Sequence, residues 1–503
     1  MAGPVHHPDG VVETHVSRLV FLGDRVYKVK KPVQFAFLDF STVEARAEAC
    51  LREVQLNRRL SPDVYLGVLE VVSPLGRSIE HVVEMRRMPP ERRLATLVTE
   101  GDPDVVGHVR AVAHRIAAFH AGASRGAAID RDASHDAVSE AWAGNLAEMA
   151  PSAVGPDAVF DPEVLAEVEH LAVRWLDGRA AVFADRLAGG HVVDGHGDLL
   201  CEDIFCLDDG PRILDCIEFD DHLRHVDVWN DVAFLVMDLE RLGRPDLADV
   251  LRDTYREMSA DTALPGLIDV FVAYRALVRA KVAGLRSHQT GPGPEREACL
   301  VEARARLSQC LDHLRRARIR LVLVGGLPGT GKSTLASELA ESLGAAVLSS
   351  DPLRKELVGA TADMTTAADY RGGAYSAEVT DATYAALRDR ARVLLARGES
   401  VILDASWIDD RQRAATRSLA VEVGAEMVEL RCTCPADLAA ARIAARRAAG
   451  DRESDADEAV ATAMAADADD WPDAVLVDTG GSVDAALAAA VGAVLSAALP
   501  PLR

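Results

Sequence analysis

The chain has 503 residues, a length that predicts about three folded units at roughly 150 residues each. Hydrophobic residues make up 49% of the sequence and charged residues 27%, which excludes wholesale disorder. The formal net charge of −24 argues against a general nucleic-acid or membrane-surface binder, because both partners are polyanions. It still allows a local basic pocket for a small anion.

The cysteines and the chain ends bear on the compartment. The eight cysteines are sparse and form no C-x-x-C pair, which favours reduced thiols in a cytoplasmic protein over a disulfide or zinc framework. No basic segment followed by an apolar run opens the sequence, so we expect no signal peptide. The longest uncharged run, residues 485–499, is short and rich in alanine, and it predicts a packed terminal helix rather than a membrane span.

The first part of the chain predicts a small sheet that carries one helix. Strands are expected at residues 18–22 and 25–30, joined by a tight turn at Gly23-Asp24, and again at 64–72 and 78–85. The helix is expected at residues 42–60, where apolar residues recur at helical spacing.

From about residue 90 the pattern becomes mainly helical. Predicted helices occupy residues 105–120, 162–187, 227–242, 264–286 and 295–316. Two short strands, 204–207 and 212–219, interrupt them, and the breaker-rich segment 288–294 precedes the last helix.

From residue 318 strands and helices alternate, which predicts a parallel sheet between layers of helices. The predicted segments, strand and helix in turn, are 319–324, 333–343, 346–348, 382–397, 401–403, 411–423 and 426–431, with a last strand at 474–477.

The strongest motif lies directly after the first of these strands. Gly326-Leu-Pro-Gly-Thr-Gly331-Lys332-Ser333 fits the pattern G-x-x-x-x-G-K-S/T in full. Such a loop turns backbone N–H groups toward phosphate oxygens, its lysine reaches the β- and γ-phosphates, and its serine hydroxyl ligates Mg²⁺. We therefore expect ATP to bind through residues of this loop and the following helix start, namely Gly326, Gly329, Thr330, Gly331, Lys332, Ser333 and Thr334.

Two acids and an arginine follow later strands of the same unit. Asp404 ends the strand 401–403, where a magnesium ligand is expected, although an aspartate that caps the next segment fits equally well. Asp351 follows the second strand and is a candidate to take the proton of an acceptor hydroxyl, and Arg354 a candidate to hold an anionic acceptor group. The alternative is a helix cap with a surface arginine.

A group of arginines near the end offers a lid over the phosphoryl group. Arg442 and Arg446 are four residues apart on one helix face, and Arg447 and Arg452 are nearby. A solvated basic face is the alternative, and we prefer it for Arg447.

Residues 318–480 resemble the P-loop small-molecule kinases, which include gluconate, shikimate and polynucleotide kinases. The spacing Asp351-x-x-Arg354 resembles the acceptor-binding element of the polynucleotide kinase branch. The resemblance implies transfer of the ATP γ-phosphate to a hydroxyl group.

A second motif lies in the helical part of the chain. His196-Gly197-Asp198 is followed by Asp203 and by Ile213-Leu214-Asp215, which we interpret as a carboxylate carried on a strand. Phosphoryl transfer needs one carboxylate near the nucleophile and others on the metal ions. This spacing supplies both kinds.

The motif H-G-D followed by a strand-borne aspartate resembles the aminoglycoside phosphotransferase family, which is related to protein kinases. The segments 27–32, 37–40, 53–58 and 217–219 resemble a subgroup in which such a domain is fused to a P-loop domain. The resemblance covers essentially the whole chain. It implies an α+β bilobal domain, with an N-lobe at 1–88 and a helical C-lobe at 89–316, followed by an α/β P-loop kinase domain with a parallel sheet at 317–503.

The resemblance also implies roles by position. Asp198 is the catalytic base, Asp215 a metal ligand, and Asp203 stands where the family more often has asparagine as the second metal ligand. Lys28 matches the lysine that pairs the ATP phosphates, with Lys30 as its rival, and Glu53 matches the ion-pair partner. Without the family, a surface lysine and a solvated glutamate are the preferred interpretation of Lys28 and Glu53.

The sequence thus predicts two ATP- and Mg²⁺-dependent kinase modules that phosphorylate a hydroxyl of a small molecule, such as a sugar, an aminoglycoside or a nucleoside-like compound. Two alternatives stay open. The P-loop half is a polynucleotide 5′-hydroxyl kinase, or the first half is a nucleotide-binding pseudokinase that regulates the second.

Overall fold

The chain divides into two units in a computed structural model that describes residues 10–14, 16–35, 38–155, 157–359, 376–448 and 458–496. The first unit holds residues 1–169 and 183–314, and the second holds residues 170–182 and 315–503. Residues 170–182, which the sequence had placed in the helical lobe, therefore cluster with the second unit.

The first unit begins with the predicted sheet and its helix. The elements are β1 Gly10–Glu13, β2 Ser17–Leu22, β3 Arg25–Lys30, β4 Gln34–Phe35, β5 Leu38–Asp39, α1 Val43–Asn57, β6 Tyr65–Val72 and β7 Ser78–Arg86. The main sheet is antiparallel with the order β1-β2-β3-β7-β6. The Thr42 hydroxyl caps α1 by accepting a hydrogen bond from the Ala45 N–H at 3.1 Å.

The packing of α1 on this sheet positions charged groups. Cys50 and Val54 of α1 are buried with Val83 and Met85 of β7. Side chains on a strand alternate between faces, so Lys28 and Lys30 of β3 point the same way. The sheet and helix together bring both lysines to Glu53, which α1 carries.

The rest of the first unit is mainly helical. The helices in this part of the chain are α2 Leu94–Glu100, α3 Val105–Gly122, α4 Ala127–Asp132, α5 His135–Met149, α6 Pro162–Asp177, α7 Ala180–Ala188, α8 Val228–Arg241, α9 Pro245–Ser259, α10 Pro265–Gln289 and α11 Pro294–Arg316. Within α6, α7 and α11, residues 170–182 and 315–316 cluster with the second unit. Its strands form two antiparallel pairs, β8 Val192–Asp194 with β11 His225–Asp227 and β9 Ile204–Leu207 with β10 Gly210–Ile213.

The structure corrects the prediction of one helix at residues 162–187. The chain forms α6 and α7 instead, separated by Gly178 and Arg179. A Cβ atom at Gly178 would lie 2.1 Å from the Val423 carbonyl oxygen, so this close approach requires glycine. The break between α6 and α7 allows the backbone at Gly178 to pack against Val423.

The structure also corrects the predicted strand at residues 212–219, because β10 ends at Ile213. Asp215 is therefore not carried on a strand. Its φ of 64° is left-handed, and its N–H donates to the Tyr65 hydroxyl at 3.2 Å, while the Cys216 N–H donates to Asn57 Oδ1 at 2.9 Å. Side chains from the first lobe replace a neighbouring strand as hydrogen-bond partners here.

His313 links three helices of the first unit. It is fully buried on α11, and its ring nitrogens lie 2.7 Å from Asp269 of α10 and 2.7 Å from Glu240 of α8. Burial by itself would lower the pKa of His313, but the hydrogen bonds to Asp269 and Glu240 raise it. The imidazolium therefore stabilises the folded state.

We expect His313→Gln to lower the free energy of unfolding by about 2 kcal/mol at pH 6, since it removes a buried charged pair. The folded pKa is above the unfolded one, so this contribution is fully present below the unfolded pKa and is lost as pH rises through the folded pKa. Urea unfolding of both chains from pH 5.5 to 9 measures the difference. His114→Gln, at an exposed position on α3, is the control, and a difference that stays constant with pH contradicts the assignment.

The second unit is built around a parallel sheet. Its elements are β12 Arg320–Gly325, α12 Lys332–Leu343, β13 Ala346–Ser349, α13 Ser350–Leu357, α14 Ala377–Ala396, β14 Val401–Asp404, α15 Asp410–Glu422, β15 Glu426–Thr433, α16 Ala436–Ala448, α17 Glu458–Ala466, β16 Val475–Asp478 and α18 Val483–Ser496. The strand order is β13-β14-β12-β15-β16, with every pair parallel.

The core of this unit lies between the sheet and the helices α12 and α18. Val322 and Val324 of β12 are buried with Leu335 and Leu339 of α12 and Ala490 of α18. The prediction of an α+β part followed by an α/β part with a parallel sheet is confirmed. Sequence patterns missed α13, whose first turn contains Asp351.

None of the helices in the described ranges is both long and apolar enough to cross a membrane. The predicted terminal helix is α18, and residues 497–499 of the uncharged run lie outside the described residues.

Candidate functional site

The glycine-rich loop joins β12 to α12 and takes a backbone shape that side chains would prevent. Gly326, Gly329 and Gly331 have φ values of 148°, 81° and 81°. A Cβ atom would lie 2.6 Å from Thr330 Oγ1 at Gly326 and 2.5 Å from the Ala439 carbonyl oxygen at Gly329. The loop leads into the first turn of α12 at Lys332, where unpaired N–H groups favour an anion.

Two cavities of the second unit meet at Lys332. One of about 390 Å³ is lined by Ser333 and Thr334 on the loop side and by Arg442 and Arg446 from α16. The other, of about 550 Å³, is lined by Gly326, Asp351 and Arg354. After the roles that the sequence predicts for these residues, we call the first the nucleotide cavity and the second the acceptor cavity. Lys332 lines both cavities.

The nucleotide cavity also contains a residue that sequence reasoning missed. The Thr479 hydroxyl lies 2.5 Å from the Thr330 carbonyl oxygen and 3.0 Å from that of Thr433, and the Thr479 carbonyl accepts a hydrogen bond from Arg442 Nη2 at 2.8 Å. Thr479 directly follows β16 at the carboxyl end of the sheet, and this position was the available signal.

The two predicted arginines of the lid line this cavity. Arg442 Nη1 is buried and makes no hydrogen bond with the described residues. Its position beside Gly331 leaves that N–H group available to a phosphate oxygen. Arg447 is exposed, and Arg452 lies outside the described residues.

Asp404 ends β14 beside the phosphate loop. It is only 4% exposed, its Oδ1 has no hydrogen-bond partner in the described structure, and its Oδ2 accepts from the Ser349 hydroxyl at 3.2 Å. Burial raises the pKa of Asp404, and Lys332 and Ser333 oppose that rise. A buried carboxylate oxygen with no partner beside a serine hydroxyl is a fitting oxygen donor set for Mg²⁺, which also uses phosphate oxygens and waters.

Asp351 and Arg354 both line the acceptor cavity and contact each other. Arg354 Nη1 donates to Asp351 Oδ1 at 3.0 Å across one turn of α13. The side chains are 27% and 11% exposed for Asp351 and Arg354 respectively. The pair places a carboxylate in the cavity and fixes its orientation.

The glycine geometry gives a direct test of the loop. We expect Gly329→Ala to weaken binding of a non-hydrolysable ATP analogue to the second unit at least tenfold, because the new Cβ would meet backbone and the residue would hold a positive φ. Isothermal titration in the Lys28→Ala background, which removes the lysine expected to pair the nucleotide phosphates in the first unit, reports this site.

The matched control for that variant is Gly492→Ala. Gly492 lies on α18, and a Cβ there meets nothing within 4 Å. Equal analogue affinity of the two variants contradicts the assigned role of the loop.

The first unit has a separate charged site. Lys28 Nζ lies 2.8 Å from Glu53 Oε1 and 2.7 Å from Asp215 Oδ1. Although burial would lower the pKa of Lys28, Asp215 and Glu53 raise it well above its usual value. In turn, the positive charge of Lys28 is the main reason that the pKa of Asp215 is lowered. The structure thus brings the predicted lysine, glutamate and metal-binding aspartate together.

Lys30, the rival lysine, lies deeper. Its side chain is fully buried between Glu53, at 2.8 Å, and Glu218. Lys28 retains 12% exposure and contacts Asp215, whereas Lys30 is enclosed by carboxylates. This difference favours Lys28 as the group available to a phosphate.

The loop that carries Asp198 is held by a buried aspartate. Asp231 of α8 accepts hydrogen bonds from the N–H groups of His196 at 2.7 Å and Gly197 at 2.8 Å, and lies 3.0 Å from His120 Nε2. Burial lowers the pKa of His196 to about 4, so its ring is neutral. These contacts fix the backbone that presents Asp198.

Asp198 itself has a buried oxygen, Oδ1, with no partner in the described structure. Burial raises its pKa to about 6. Burial, Asp215 and Asp198 raise the pKa of Asp203 well above its usual value.

No group of three or more His, Cys, Asp or Glu side chains in the described residues could hold a metal ion by protein ligands alone. A Mg²⁺ ion that binds together with phosphate groups uses one or two protein carboxylates. Asp203 with Asp215, and Asp404 with Ser333, are the pairs that would fit such an ion.

A protein-family model described as an AAA domain matches residues 321–470, within the second unit. The uncharacterized proteins Rv2004c of Mycobacterium tuberculosis and Mb2027c of Mycobacterium bovis are each 44% identical to this chain over 471 residues. The aligned part is 94% of this chain and 92% of each relative.

Solved structures align with each part of the chain. A sugar kinase from a Janibacter species is 19% identical, covers 35% of this chain and 94% of its own, and has a TM-score of 0.28. A choline/ethanolamine kinase family protein from Mesorhizobium loti is 14% identical, covers 62% of this chain and 93% of its own, and has a TM-score of 0.37.

Proposed function

We propose that this chain, which belongs to the same family as the Mycobacterium tuberculosis protein Rv2004c, is an ATP-dependent kinase that phosphorylates a hydroxyl group of a small molecule. The observation that carries the proposal is the position of Lys332, at the end of a phosphate loop and on the wall of two cavities. Donor and acceptor of a phosphoryl group need this arrangement, with the reacting group between them.

In the second unit, the loop amides and Lys332 hold the β- and γ-phosphates, and Arg442 and Arg446 neutralise charge from the nucleotide side. The acceptor hydroxyl attacks the γ-phosphorus, its proton passes to the Asp351 carboxylate, and the bond from the γ-phosphorus to the β-phosphate oxygen breaks to release ADP. Arg354 orients Asp351 through the 3.0 Å hydrogen bond.

In the first unit, Lys28 pairs the nucleotide phosphates and Glu53 positions Lys28. Asp198 accepts the proton of the acceptor hydroxyl, and the hydrogen bonds from His196 and Gly197 to Asp231 hold it in place. Asp203 and Asp215 would hold Mg²⁺ in this unit.

Mg²⁺, when bound, neutralises phosphate charge as the γ-phosphoryl group is transferred. Ser333 and Asp404 would hold it in the second unit. The residues of the chain provide binding, orientation and proton acceptance, and no covalent intermediate on the protein is needed.

One observation favours a second candidate for the first unit, a nucleotide-binding pseudokinase. Asp203 adds an acid beside Asp198 and Asp215, and Lys28 already contacts Asp215 at 2.7 Å. The Lys28 ammonium group competes with a metal ion for the Asp215 carboxylate. A unit that binds nucleotide without transfer would then regulate the other.

Mass spectrometry tests the proposal. The full chain is incubated with ATP, Mg²⁺ and a panel of sugars, amino sugars, nucleosides, aminoglycosides and RNA ends, and the gain of one phosphate is measured. The double variant Asp198→Asn, Lys332→Ala is the blank. We expect phosphate gain on a small hydroxyl compound with the natural chain alone, and equal signals from the two chains contradict the proposal.

A further inference from the structure

The lining of the acceptor cavity is dominated by carboxylates. Its described walls include five aspartates against three basic residues, and one of the basic residues, Lys332, belongs to the phosphate loop. The aspartates come from four different segments, and they are Asp351, Asp381, Asp409, Asp467 and Asp469. The described lining therefore carries more acidic than basic side chains.

The two arginines of this lining are engaged by aspartates of the same lining. Arg354 donates to Asp351 at 3.0 Å. Arg411 Nη2 lies 2.7 Å from Asp409 Oδ2 and 3.9 Å from Asp381 Oδ1, and its side chain is 77% exposed. An anionic acceptor would have to compete with these carboxylates for either arginine.

We propose that the acceptor of this unit is a hydroxyl compound that carries a protonated amine, an inference that rests on the function proposed above. A cavity lined by one sign of charge concentrates ligands of the opposite sign, and carboxylates bind ammonium groups through charge-assisted hydrogen bonds. Aspartate oxygens also accept hydrogen bonds from hydroxyl groups, so both the amine and the hydroxyl groups of an amino polyol find partners among these carboxylates.

The same charges disfavour other acceptors. A sugar acid, a phosphorylated sugar or a nucleic-acid end would place a negative group among these aspartates, and like charges in a confined site repel strongly. Tyr384, which also lines the cavity, is held by hydrogen bonds of its hydroxyl with Ser406 at 3.1 Å and the Trp407 N–H at 3.2 Å. Its ring supplies an apolar patch for the carbon skeleton.

Matched ligand sets test the inference. The full chain, saturated with Mg²⁺ and a non-hydrolysable ATP analogue, is titrated with glucosamine, glucose and gluconate, and with galactosamine, galactose and galactonate. We expect at least one amine to bind about tenfold or more tightly than its neutral counterpart, and the acids to bind most weakly.

A variant pair localises that preference. Asp381→Asn, which removes a cavity charge on α14, should reduce the preference for the amine about fivefold. Asp389→Asn lies on the same helix and is 74% exposed in a pair with Arg392, so it should leave the preference unchanged.

The inference is overturned if no amine binds, if an acid binds as tightly as its amine, or if Asp381→Asn leaves the preference intact. Analogue binding is measured in the same titrations. If the natural chain did not bind the ATP analogue, the proposed function itself would be rejected. The two failures are therefore distinguishable.

Discussion

Replacing Lys332 by alanine is expected to lower the ATP turnover of the second unit by about 10²- to 10³-fold, the range seen when one electrostatic stabiliser of a transition state is removed. Lys332 is the one basic side chain that lines both cavities in the described structure. Without its ammonium group, the charge of the γ-phosphoryl group in transfer is no longer neutralised at that point.

The experiment measures ADP release in the Asp198→Asn background, so that the first unit does not contribute. Transfer to water provides the signal until the acceptor is known. Glu341→Ala, an exposed change on the same helix α12, should retain turnover. Turnover that survives Lys332→Ala within a factor of two or three would contradict the role given to the loop.

Replacing Asp198 by asparagine is expected to lower the turnover of the first unit by about 10³-fold or more, because it removes the proton acceptor while it keeps the shape of the side chain. The measurement uses the Lys332→Ala background. Asp208→Asn, whose side chain is 99% exposed, is the matched control. Unchanged turnover would favour the pseudokinase candidate for this unit.

The pH dependence gives this variant a second readout. A base works as the carboxylate, and burial raises the pKa of Asp198 to about 6. Turnover of the first unit should therefore fall about tenfold per pH unit below pH 6 and level off above pH 7. Asp198→Asn should remove this dependence.

The Asp198→Asn substitution should not lower the free energy of unfolding at neutral pH, because a buried carboxylate with a raised pKa destabilises the folded state when ionised.

Features specified by short stretches of sequence were predictable. The phosphate loop is one, because its glycines, Lys332 and Ser333 are adjacent in sequence and their geometry follows from the backbone. The alternation of strands and helices after residue 318 likewise predicted a parallel sheet, since each element carries its own periodicity.

Features that depend on distant contacts were not predictable. Asp215 was expected on a strand. Instead, its N–H donates to the hydroxyl of Tyr65, 150 residues earlier, and the N–H of Cys216 donates to the side chain of Asn57, 159 residues earlier. These distant contacts hold the segment in another conformation. The sequence could not show which of Lys28 and Lys30 is available to a phosphate, because both lysines contact Glu53. They differ in their second partner, which is Asp215 for Lys28 and Glu218 for Lys30.

The charge of the acceptor cavity is also a tertiary property. Asp351 and Arg354 were found by their spacing, but Asp381, Asp409 and Asp469 reach the cavity from α14 and from segments after β14 and α17. No local pattern connects these residues. Thr479 was missed for the same reason, although its place after the last strand was a usable signal.

A crystal structure of the full chain with Mg²⁺ and a non-hydrolysable ATP analogue tests the central claim most directly. The account predicts the β- and γ-phosphates within the loop of residues 326–333, beside the Lys332 ammonium group, and the rest of the nucleotide in the cavity lined by Arg442 and Ser482. An analogue bound elsewhere in the second unit, or a loop without phosphate at saturating analogue, would contradict it.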